Sequence, residues 1–294
     1  MNNLLIGPIL KWVGGKRQLL DEIRKRIPKT YTTYYEPFFG GGAVFFDLKP
    51  RQAVLNDKNR ELMNVYECVR DNVGEVIKML KEHKNNAEYF YHIRQMDRTA
   101  DFHSLSAVVH ASRILYLNKT CYNGLFRVNS QGEFNSPFGY YKEPNIVNEA
   151  TLRAVSEFLG TLMQVKTKKT GENKAYTLIS KDYTDVLKTA KKGAFVYLDP
   201  PYEPISDSSS FTGYNQGGFA REDQNRLCKE CEKLDERGVK FLLSNSSTPH
   251  IHGLYGQAKY KNRFKIELVQ ARRNVNSDGA GRGEINEVLV RNYD

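Results

Sequence analysis

Short apolar runs alternate with polar stretches of helical spacing in residues 4–58 and again from about 150 to 294. Runs this short, when helical patterns separate them, are typical of buried strands. Strands that alternate with helices predict an α/β domain built around one sheet. The predicted strands are residues 33–36, 53–56, 176–180, 195–199, 240–245, 264–269 and 287–292.

The segment between these two regions has a different pattern. Residues 61–116 carry apolar side chains at helical spacing and show no strand signal. After them, Ser130-Gln131-Gly132 separates two short runs at 126–128 and 133–135, which predicts a β-hairpin. We therefore predict that residues 1–58 and 150–294 form the α/β domain. Residues 59–149 would form an inserted helical domain that carries the hairpin.

One apolar run, residues 194–198, ends in Asp199-Pro200-Pro201-Tyr202. Proline fixes φ and has no N–H, so this tetrapeptide predicts a rigid turn that orients a carboxylate, backbone carbonyls and an aromatic ring. A planar amine can donate one hydrogen bond to the Asp199 carboxylate and one to the Pro200 carbonyl while its ring stacks on Tyr202. An ordinary turn from strand to loop is the alternative interpretation.

A glycine-rich turn follows the first predicted strand, in Glu36-Pro37-Phe38-Phe39-Gly40-Gly41-Gly42. Glycine lets the backbone approach a ligand closely, and the helix that begins next carries a partial positive charge at its N-terminus. Asp57 ends the next apolar run, roughly 20 residues on, where the acceptor of a ribose diol is expected. These features predict a nucleoside-binding half, although the turn lacks the GxGxxG pattern and such turns also serve packing.

The chain has 294 residues and a net charge of +10, which favours a polyanionic partner. Tyrosines interleaved with basic residues favour nucleic acid over a membrane, and no long basic amphipathic helix stands out. The four cysteines form no disulfide framework and no apolar segment has signal-peptide or membrane-span length, which predicts the reducing cytoplasm. Cys228-x-x-Cys231 has no second pair and His250-x-His252 is isolated, so we expect no metal site.

Five motifs, in order along the chain, resemble those of Dam-type DNA adenine-N6 methyltransferases of the D12 class. They are Lys11-Trp12-Val13-Gly14-Gly15-Lys16, the glycine-rich turn, Asn56-Asp57, Tyr122-Asn123-Gly124-Leu125-Phe126-Arg127 and Asp199-Pro200-Pro201-Tyr202. The similarity is nearly end to end, and it is particularly close to the Dam-like methylases of DpnII-type restriction-modification systems, whose recognition sequence is GATC. It implies a Rossmann-like methyltransferase sheet with a target-recognition domain at 59–149.

The resemblance implies transfer of a methyl group from S-adenosyl-L-methionine to N6 of a flipped-out adenine in double-stranded DNA, with S-adenosylhomocysteine as the product. It implies that Asp199, Pro200 and Tyr202 are the catalytic residues. We expect the loop at 203–219 to close over the target base. The residues implied for the cofactor are Trp12, Lys16, Glu36, Pro37, Phe38, Gly40, Gly42, Asp57, Asp182, Tyr183 and Asp199.

Residue types in the hairpin suit base recognition. The planar fork of Arg127 suits guanine O6 and N7 in the major groove, and Leu125 and Pro137 suit a thymine methyl group. Tyr122 is suited to wedge into the stack that a flipped base leaves. The family implies that Lys11 reaches the outer guanine. The predicted DNA-contacting residues are Lys11, Tyr122, Asn123, Leu125, Arg127, Asn129 and Pro137, and we expect Arg94, Arg98, Arg113 and Lys119 to contact phosphates or lie on solvated helix faces.

Three alternatives stay open at this point. A nicotinamide-dependent oxidoreductase would use the glycine turn, but GxGxxG is missing. A methyltransferase of cytosine N4, or of a different DNA or RNA target, is compatible with the tetrapeptide. A non-catalytic DNA-binding regulator would not need an intact Lys16, Asp57 and Asp199. The expected partner is double-stranded DNA containing GATC and not a membrane; a restriction endonuclease of the same system is a further candidate, without a stable complex, and we expect a monomer.

Overall fold

The fold is organised around one sheet of seven strands. A computed structural model describes residues 5–164, 176–204, 219–272 and 284–294, and the strands are counted within these ranges. They lie in the order β3-β2-β1-β4-β5-β7-β6, in which β1 to β5 are parallel and β7 is antiparallel to both neighbours. The predicted α/β fold is confirmed, since each predicted strand overlaps one of these. The strands are β1 (Tyr34–Glu36), β2 (Ala53–Asn56), β3 (Tyr176–Ile179), β4 (Phe195–Leu198), β5 (Lys240–Ser246), β6 (Lys265–Arg272) and β7 (Glu284–Arg291).

The same ranges contain ten α-helices. Five of them, α3, α5, α6, α8 and α10, are preceded by residues whose side chains accept a backbone N–H of the first turn, namely Asn59, Asn86, Ser106, Asp182 and Thr248. None of the helices described is both long and apolar enough to cross a bilayer. The helices are α1 (Leu20–Arg26), α2 (Ala43–Leu48), α3 (Arg60–Asp71), α4 (Val73–Glu82), α5 (Ala87–Gln95), α6 (Ala107–Thr120), α7 (Glu149–Gln164), α8 (Tyr183–Lys188), α9 (Arg221–Glu236) and α10 (Pro249–Tyr255).

The central strand β4 is buried on both faces. Phe195 and Tyr197 belong to an apolar core that includes residues of α2 and α3, whereas Val196 and Leu198 belong to a second core with residues of α8, α9 and α10. All four side chains are fully buried. Helices therefore cover both faces of the parallel part of the sheet, as parallel strands require. The carboxyl ends of these strands meet at one edge.

Helices α3, α4 and α6 form the body of the insert. α6 packs against α3 and α4. α7 also packs against α3 and α4, and it contacts β3 as well. One apolar core runs without a break from Phe45 and Tyr176 near the sheet to Leu115 in α6. The division of the chain into a catalytic domain and a recognition domain at 59–149 stays a prediction.

Residues 121–138 form a ribbon at the position of the predicted hairpin. The ribbon has two isolated bridges, one of which joins Val128 to Phe134. The ribbon forms no continuous strands between these two bridges, because side-chain hydrogen bonds replace some of the backbone hydrogen bonds that would join its two halves. The Phe134 N–H, for example, donates to Asp97 Oδ2 at 2.7 Å. This bond ties the ribbon to the turn that follows α5.

His83 joins three helices of the insert. Its Nδ1 lies 2.9 Å from the Tyr89 hydroxyl, and its Nε2 lies 3.0 Å from Ser112 Oγ. Its ring stacks on Tyr116 with a centroid distance of 4.3 Å. Burial disfavours the charged imidazolium and lowers the pKa of His83 from 6.5 to about 4. The histidine is therefore a neutral part of the core at neutral pH.

We predict that the free energy of unfolding falls as the pH falls from 6.5 to about 4. In this window the unfolded chain binds a proton at His83 that the folded chain excludes, so acid favours unfolding. Below the folded-state pKa both states are protonated and the contribution stops changing. Urea unfolding of His83→Phe, which keeps a ring against Tyr116, should lack this part of the pH dependence. Equal pH dependence in the two proteins would contradict the prediction.

Candidate active site at the carboxyl edge of the sheet

The predicted catalytic turn lies at the carboxyl edge of the sheet. Glu36 ends β1, Asp199 directly follows β4, and Ser244 lies near the end of β5. β4 is the parallel neighbour of both β1 and β5, so these three residues meet at one edge. The strand order also reverses between β1 and β4, which is where open α/β sheets bind ligands.

Asp199 is held by two side chains that both contact its Oδ1. Lys16 Nζ lies 2.7 Å from this oxygen, and Ser244 Oγ donates to it at 3.1 Å. Lys16 also donates to the Gly14 carbonyl at 2.6 Å, which fixes the lysine within its own turn. The side chains of Lys16 and Asp199 are only 7% and 18% exposed. No hydrogen bond to Oδ2 is made by any residue that the structure describes.

Burial and Lys16 act on Asp199 in opposite directions. Burial disfavours the charged carboxylate, while the ammonium of Lys16 and then the hydroxyl of Ser244 favour it. Burial is the larger influence, and the pKa of Asp199 lies above its usual value. The ionised group is consequently a stronger hydrogen-bond acceptor and base than an aspartate in water.

Tyr202 is fixed beside Asp199 from two directions. Its hydroxyl donates to Glu287 Oε2 at 2.6 Å, and Lys16 Nζ lies 4.5 Å from the centroid of its ring. Burial, followed by the charges of Asp199 and Glu287, raises the pKa of Tyr202 well above its usual value. The phenol therefore stays protonated and keeps its bond to Glu287.

Glu36 lies within the same edge and is 2% exposed. Its Oε2 accepts the Tyr34 hydroxyl at 2.7 Å. Burial raises the pKa of Glu36 well above its usual value; the Tyr34 hydrogen bond opposes this effect, and the charge of Asp199 adds to it. The raised pKa favours the neutral form of Glu36, which adds no negative charge near Asp199.

The turn between β1 and α2 requires glycine at two positions. Gly40 and Gly42 have φ angles of 50° and 68°, in the left-handed region. A Cβ on Gly42 would lie 2.5 Å from the Phe39 ring, and one on Gly40 would lie 3.0 Å from Trp12. Side chains at these positions would collide with the Phe39 and Trp12 rings, so this turn, which we call the glycine cradle, depends on glycine.

Asp57 braces this turn. Its Oδ2 accepts the Gly40 N–H at 2.9 Å, and its Oδ1 accepts the Asn59 N–H at 2.8 Å. Each oxygen retains a second acceptor position, so these bonds are compatible with a ribose diol. Neighbouring Asn56 donates to the Pro37 carbonyl at 2.9 Å and ties the end of β2 to the end of β1.

An aromatic wall of Phe38, Tyr183 and Phe219 lies beside the turn. The Phe38 centroid is 5.1 Å from that of Tyr183 and 5.9 Å from that of Phe219. Arg226 lies 5.3 Å from the Tyr183 centroid and donates to Asp182 at 3.1 Å. The buried Tyr183 hydroxyl has no hydrogen-bond partner within the ranges described. A glycine cradle, apolar rings and an unpaired hydroxyl fit a nucleoside-type ligand.

The segment that carries Lys16 also contacts the ribbon. Asn118 bonds both the N–H and the carbonyl of Lys11, at 2.9 and 2.8 Å. Trp12 stacks on Phe126 with centroids 4.8 Å apart. Lys11 is exposed at the base of the ribbon, where Gly124 lies against its side chain. Residues 11–16 therefore join the turn at Asp199 to the predicted DNA-contacting ribbon.

The ribbon presents several predicted DNA-contacting residues to solvent. The Arg127 Nε donates to Asn135 Oδ1 at 2.7 Å, which orients the guanidinium. The Asn129 side chain holds the ribbon's own turn, because its Oδ1 accepts the Glu133 N–H at 3.0 Å. Its predicted DNA contact stays a prediction. Tyr122, Arg127 and Pro137 are exposed, and Asn123 and Leu125 are half-buried.

Arg113 is buried within the insert and does not face solvent as the sequence predicted. It is 3% exposed, pairs with Asp97 at 2.8 Å and donates to the Ile93 carbonyl at 2.9 Å. The expectation of a phosphate contact or a solvated face is wrong for this residue. Helical spacing in α6 identified the faces of the helix, but α3, α4 and α5 all pack against it.

Two contacts at the site were missed by sequence reasoning, namely those of Ser244 with Asp199 and of Glu287 with Tyr202. The available signal was a polar residue at the end of an apolar strand, as in Phe241-Leu242-Leu243-Ser244. The pattern identifies the strand but not which side chain it faces. Most of the loop predicted at 203–219 lies outside the described residues, which do not include positions 205–218.

Comparison with known proteins adds a family. Residues 12–275 match the family model described as D12 class N6 adenine-specific DNA methyltransferase. The chain is 40% identical to the type II methyltransferase M1.LlaDCHI of Lactococcus lactis subsp. cremoris, across 99% of this chain and 97% of the relative. It is 36% identical to the type II methyltransferase M.MjaIII of Methanocaldococcus jannaschii, across 98% and 99%. It is 34% identical to a DNA adenine methylase of Escherichia coli strain K12, across 96% and 93%.

We predict that Lys16→Met raises the pKa of Asp199 further. The substitution removes the positive charge that favours the carboxylate and leaves the opposing effect of burial in place. Carbon-13 NMR titration of the Asp199 carboxyl should show a midpoint at higher pH than in the unmodified protein. Ser244→Ala should raise the midpoint less, because a neutral donor is lost. A midpoint that Lys16→Met leaves unchanged would mean that the ion pair does not persist in solution.

Proposed function

We propose that this chain, which belongs to the D12 class of N6 adenine-specific DNA methyltransferases, methylates the adenine of GATC after that base has been extruded from double-stranded DNA. As a member of this class it transfers a methyl group from S-adenosyl-L-methionine to adenine N6 in DNA. Family membership excludes the nicotinamide-dependent and cytosine-N4 alternatives. The observation that carries the catalytic assignment is that Lys16 and Ser244 both bond Oδ1 of Asp199, while no residue in the described ranges donates a hydrogen bond to its Oδ2.

The residues that would hold S-adenosyl-L-methionine are those of the glycine cradle and the aromatic wall. Gly40 and Gly42 allow close approach, and Asp57 retains acceptor positions for ribose hydroxyls. The unpaired Tyr183 hydroxyl supplies a polar contact within an otherwise apolar surface at Phe38. When bound, the cofactor supplies a methyl group on a positively charged sulfur. The remaining residues of the proposed cofactor set are Trp12, Lys16, Glu36, Pro37, Asp182 and Asp199.

The chain activates the target amine by hydrogen bonding. The lone pair of adenine N6 is delocalised into the ring, which makes the amine a poor nucleophile. Asp199 Oδ2 and the Pro200 carbonyl accept its two N–H groups and orient the lone pair toward the methyl group. Tyr202 stacks on the extruded base and replaces part of the stacking lost from the duplex. No covalent bond to the protein is needed, and N6 releases one of its two protons, to Asp199 or to water, as it gains the methyl group.

Sequence recognition is assigned to the ribbon and to Lys11. The guanidinium of Arg127, oriented by Asn135, offers a planar fork to guanine in the major groove. Exposed Pro137 and half-buried Leu125 offer apolar contacts to a thymine methyl group. The resemblance of the motif at residues 122–127 to that of Dam-type enzymes supports GATC as the site.

The names of the relatives support a proposal about the cellular setting. Two relatives are named as type II methyltransferases, which supports a role in a restriction-modification system. We propose that the enzyme acts as a monomer in the cytoplasm and forms no stable complex with a cognate endonuclease.

We predict that Asp199→Ala slows methyl transfer by about a hundredfold or more, because the principal acceptor of the amine is lost. Single-turnover transfer of labelled methyl groups from S-adenosyl-L-methionine to a GATC duplex measures the step, and nucleoside analysis identifies N6-methyladenine. Affinity for DNA should change little. Asp21→Ala removes an exposed carboxylate that is 82% accessible and serves as the control. Transfer at the unmodified rate in Asp199→Ala would contradict the assignment.

Arg127→Ala should cost roughly 1–3 kcal/mol on GATC and relax discrimination at one base pair. The slope of affinity against salt concentration should change little, since that slope reports phosphate contacts. A panel of duplexes that differ by single bases tests both effects. Arg51→Ala is the matched control, because Arg51 is exposed just before β2 at the opposite edge of the sheet. Equal weakening on all duplexes would identify Arg127 as a phosphate contact.

A further inference from the structure

Three buried polar side chains lie behind the turn that carries Tyr202. They are Gln224 on α9 and Asn245 and Ser246 on β5. Gln224 and Asn245 are 0% exposed, and Ser246 is 3% exposed. Buried polar groups destabilise a fold unless they are hydrogen-bonded, so the partners of these three identify what they hold in place.

Gln224 holds the peptide group that precedes Tyr202. Its Nε2 donates to the Pro201 carbonyl at 2.9 Å. Its Oε1 accepts Asn245 Nδ2 at 3.0 Å, which fixes the amide in one orientation. Prolines in the turn lack N–H groups, so carbonyls are the main backbone atoms through which it can be anchored.

Asn245 and Ser246 hold the residue that follows Tyr202. Asn245 Oδ1 accepts the Glu203 N–H at 3.1 Å, and Ser246 Oγ donates to the Glu203 carbonyl at 2.5 Å. The backbone of Tyr202 is therefore anchored on both sides by one connected network. Within the part of the chain that the structure describes, neither amide bonds Asp199 or Lys16, and the network contacts the backbone of the turn.

We propose that Gln224 and Asn245 are positioning residues for methyl transfer, which set the Tyr202 ring by fixing the peptide groups on either side of it. The inference rests on the proposed stacking of the target adenine on Tyr202. A base that stacks on a displaced ring presents N6 away from Asp199 Oδ2, and a displacement of about 1 Å can slow a reaction by about a hundredfold.

The test is a double-mutant cycle measured by single-turnover methylation of a GATC duplex at saturating cofactor and DNA. Gln224→Met keeps the length of the side chain but removes both of its hydrogen bonds. It should slow transfer by about ten- to a hundredfold with little change in the affinity for DNA. In the Tyr202→Ala background the same substitution should slow transfer little further, because the ring that the network positions is absent.

Two further variants separate positioning from a loss of stability. Asn292→Leu breaks a comparable set of bonds, to Asp235, Val239 and Phe241, at the other end of β5. It should lower the thermal midpoint but not the transfer rate. Gln224→Glu remains informative if Gln224→Met does not fold. Only a protonated glutamate can donate to the Pro201 carbonyl, so its rate relative to the unmodified enzyme should rise as the pH is lowered.

Each outcome bears on the inference. A wild-type rate in Gln224→Met, or a rate of Gln224→Glu whose ratio to the unmodified enzyme does not change with pH, would overturn it. Tyr202→Ala could slow transfer while Gln224→Met slows it by the same factor with or without the Tyr202 ring. That result would overturn the positioning role alone and leave the proposed function standing. Transfer at the unmodified rate by Tyr202→Ala would remove the stacking role of Tyr202, and the positioning role with it.

Discussion

The buried ion pair between Lys16 and Asp199 is the interaction on which the site depends. A carboxylate at the end of a buried strand is unfavourable unless a partner offsets the loss of water, and removal of one partner from a buried pair typically costs about 3–5 kcal/mol. Lys16 supplies that partner at 2.7 Å, with Ser244 as a second donor to the same oxygen. Both bonds use Oδ1, and in the proposed mechanism Oδ2 accepts the hydrogen bond from the amine.

The same ion pair fixes the segment that reaches the ribbon. Lys16 contacts Asp199 at the carboxyl edge of the sheet, and the segment that leads to it places Trp12 against both Gly40 and Phe126. Lys11, five residues earlier in the chain, is held at the ribbon's base by Asn118. One short segment therefore touches the proposed cofactor cradle, the proposed catalytic carboxylate and the proposed DNA-contacting ribbon.

The sequence allowed the strands, the glycine turn and Asp199 to be predicted because each depends on local pattern. Val196 and Leu198 alternate with Phe195 and Tyr197, and a strand buried on both faces is apolar throughout. Long-range partners could not be predicted in this way. The contact of Ser244 with Asp199 depends on which strands are neighbours and in what register. The burial of Arg113 depends on which helices surround α6, and helical spacing does not contain that information.

The most direct test of the central claim is a crystal structure of the enzyme with S-adenosylhomocysteine and a GATC duplex. The account predicts that the adenine lies outside the duplex, with N6 at hydrogen-bond distance, about 2.7–3.2 Å, from both Asp199 Oδ2 and the Pro200 carbonyl. Lys16 should remain paired with Oδ1. An adenine bound with N6 directed away from Asp199, or an amine that meets the carboxylate only after Lys16 has left it, would contradict the account.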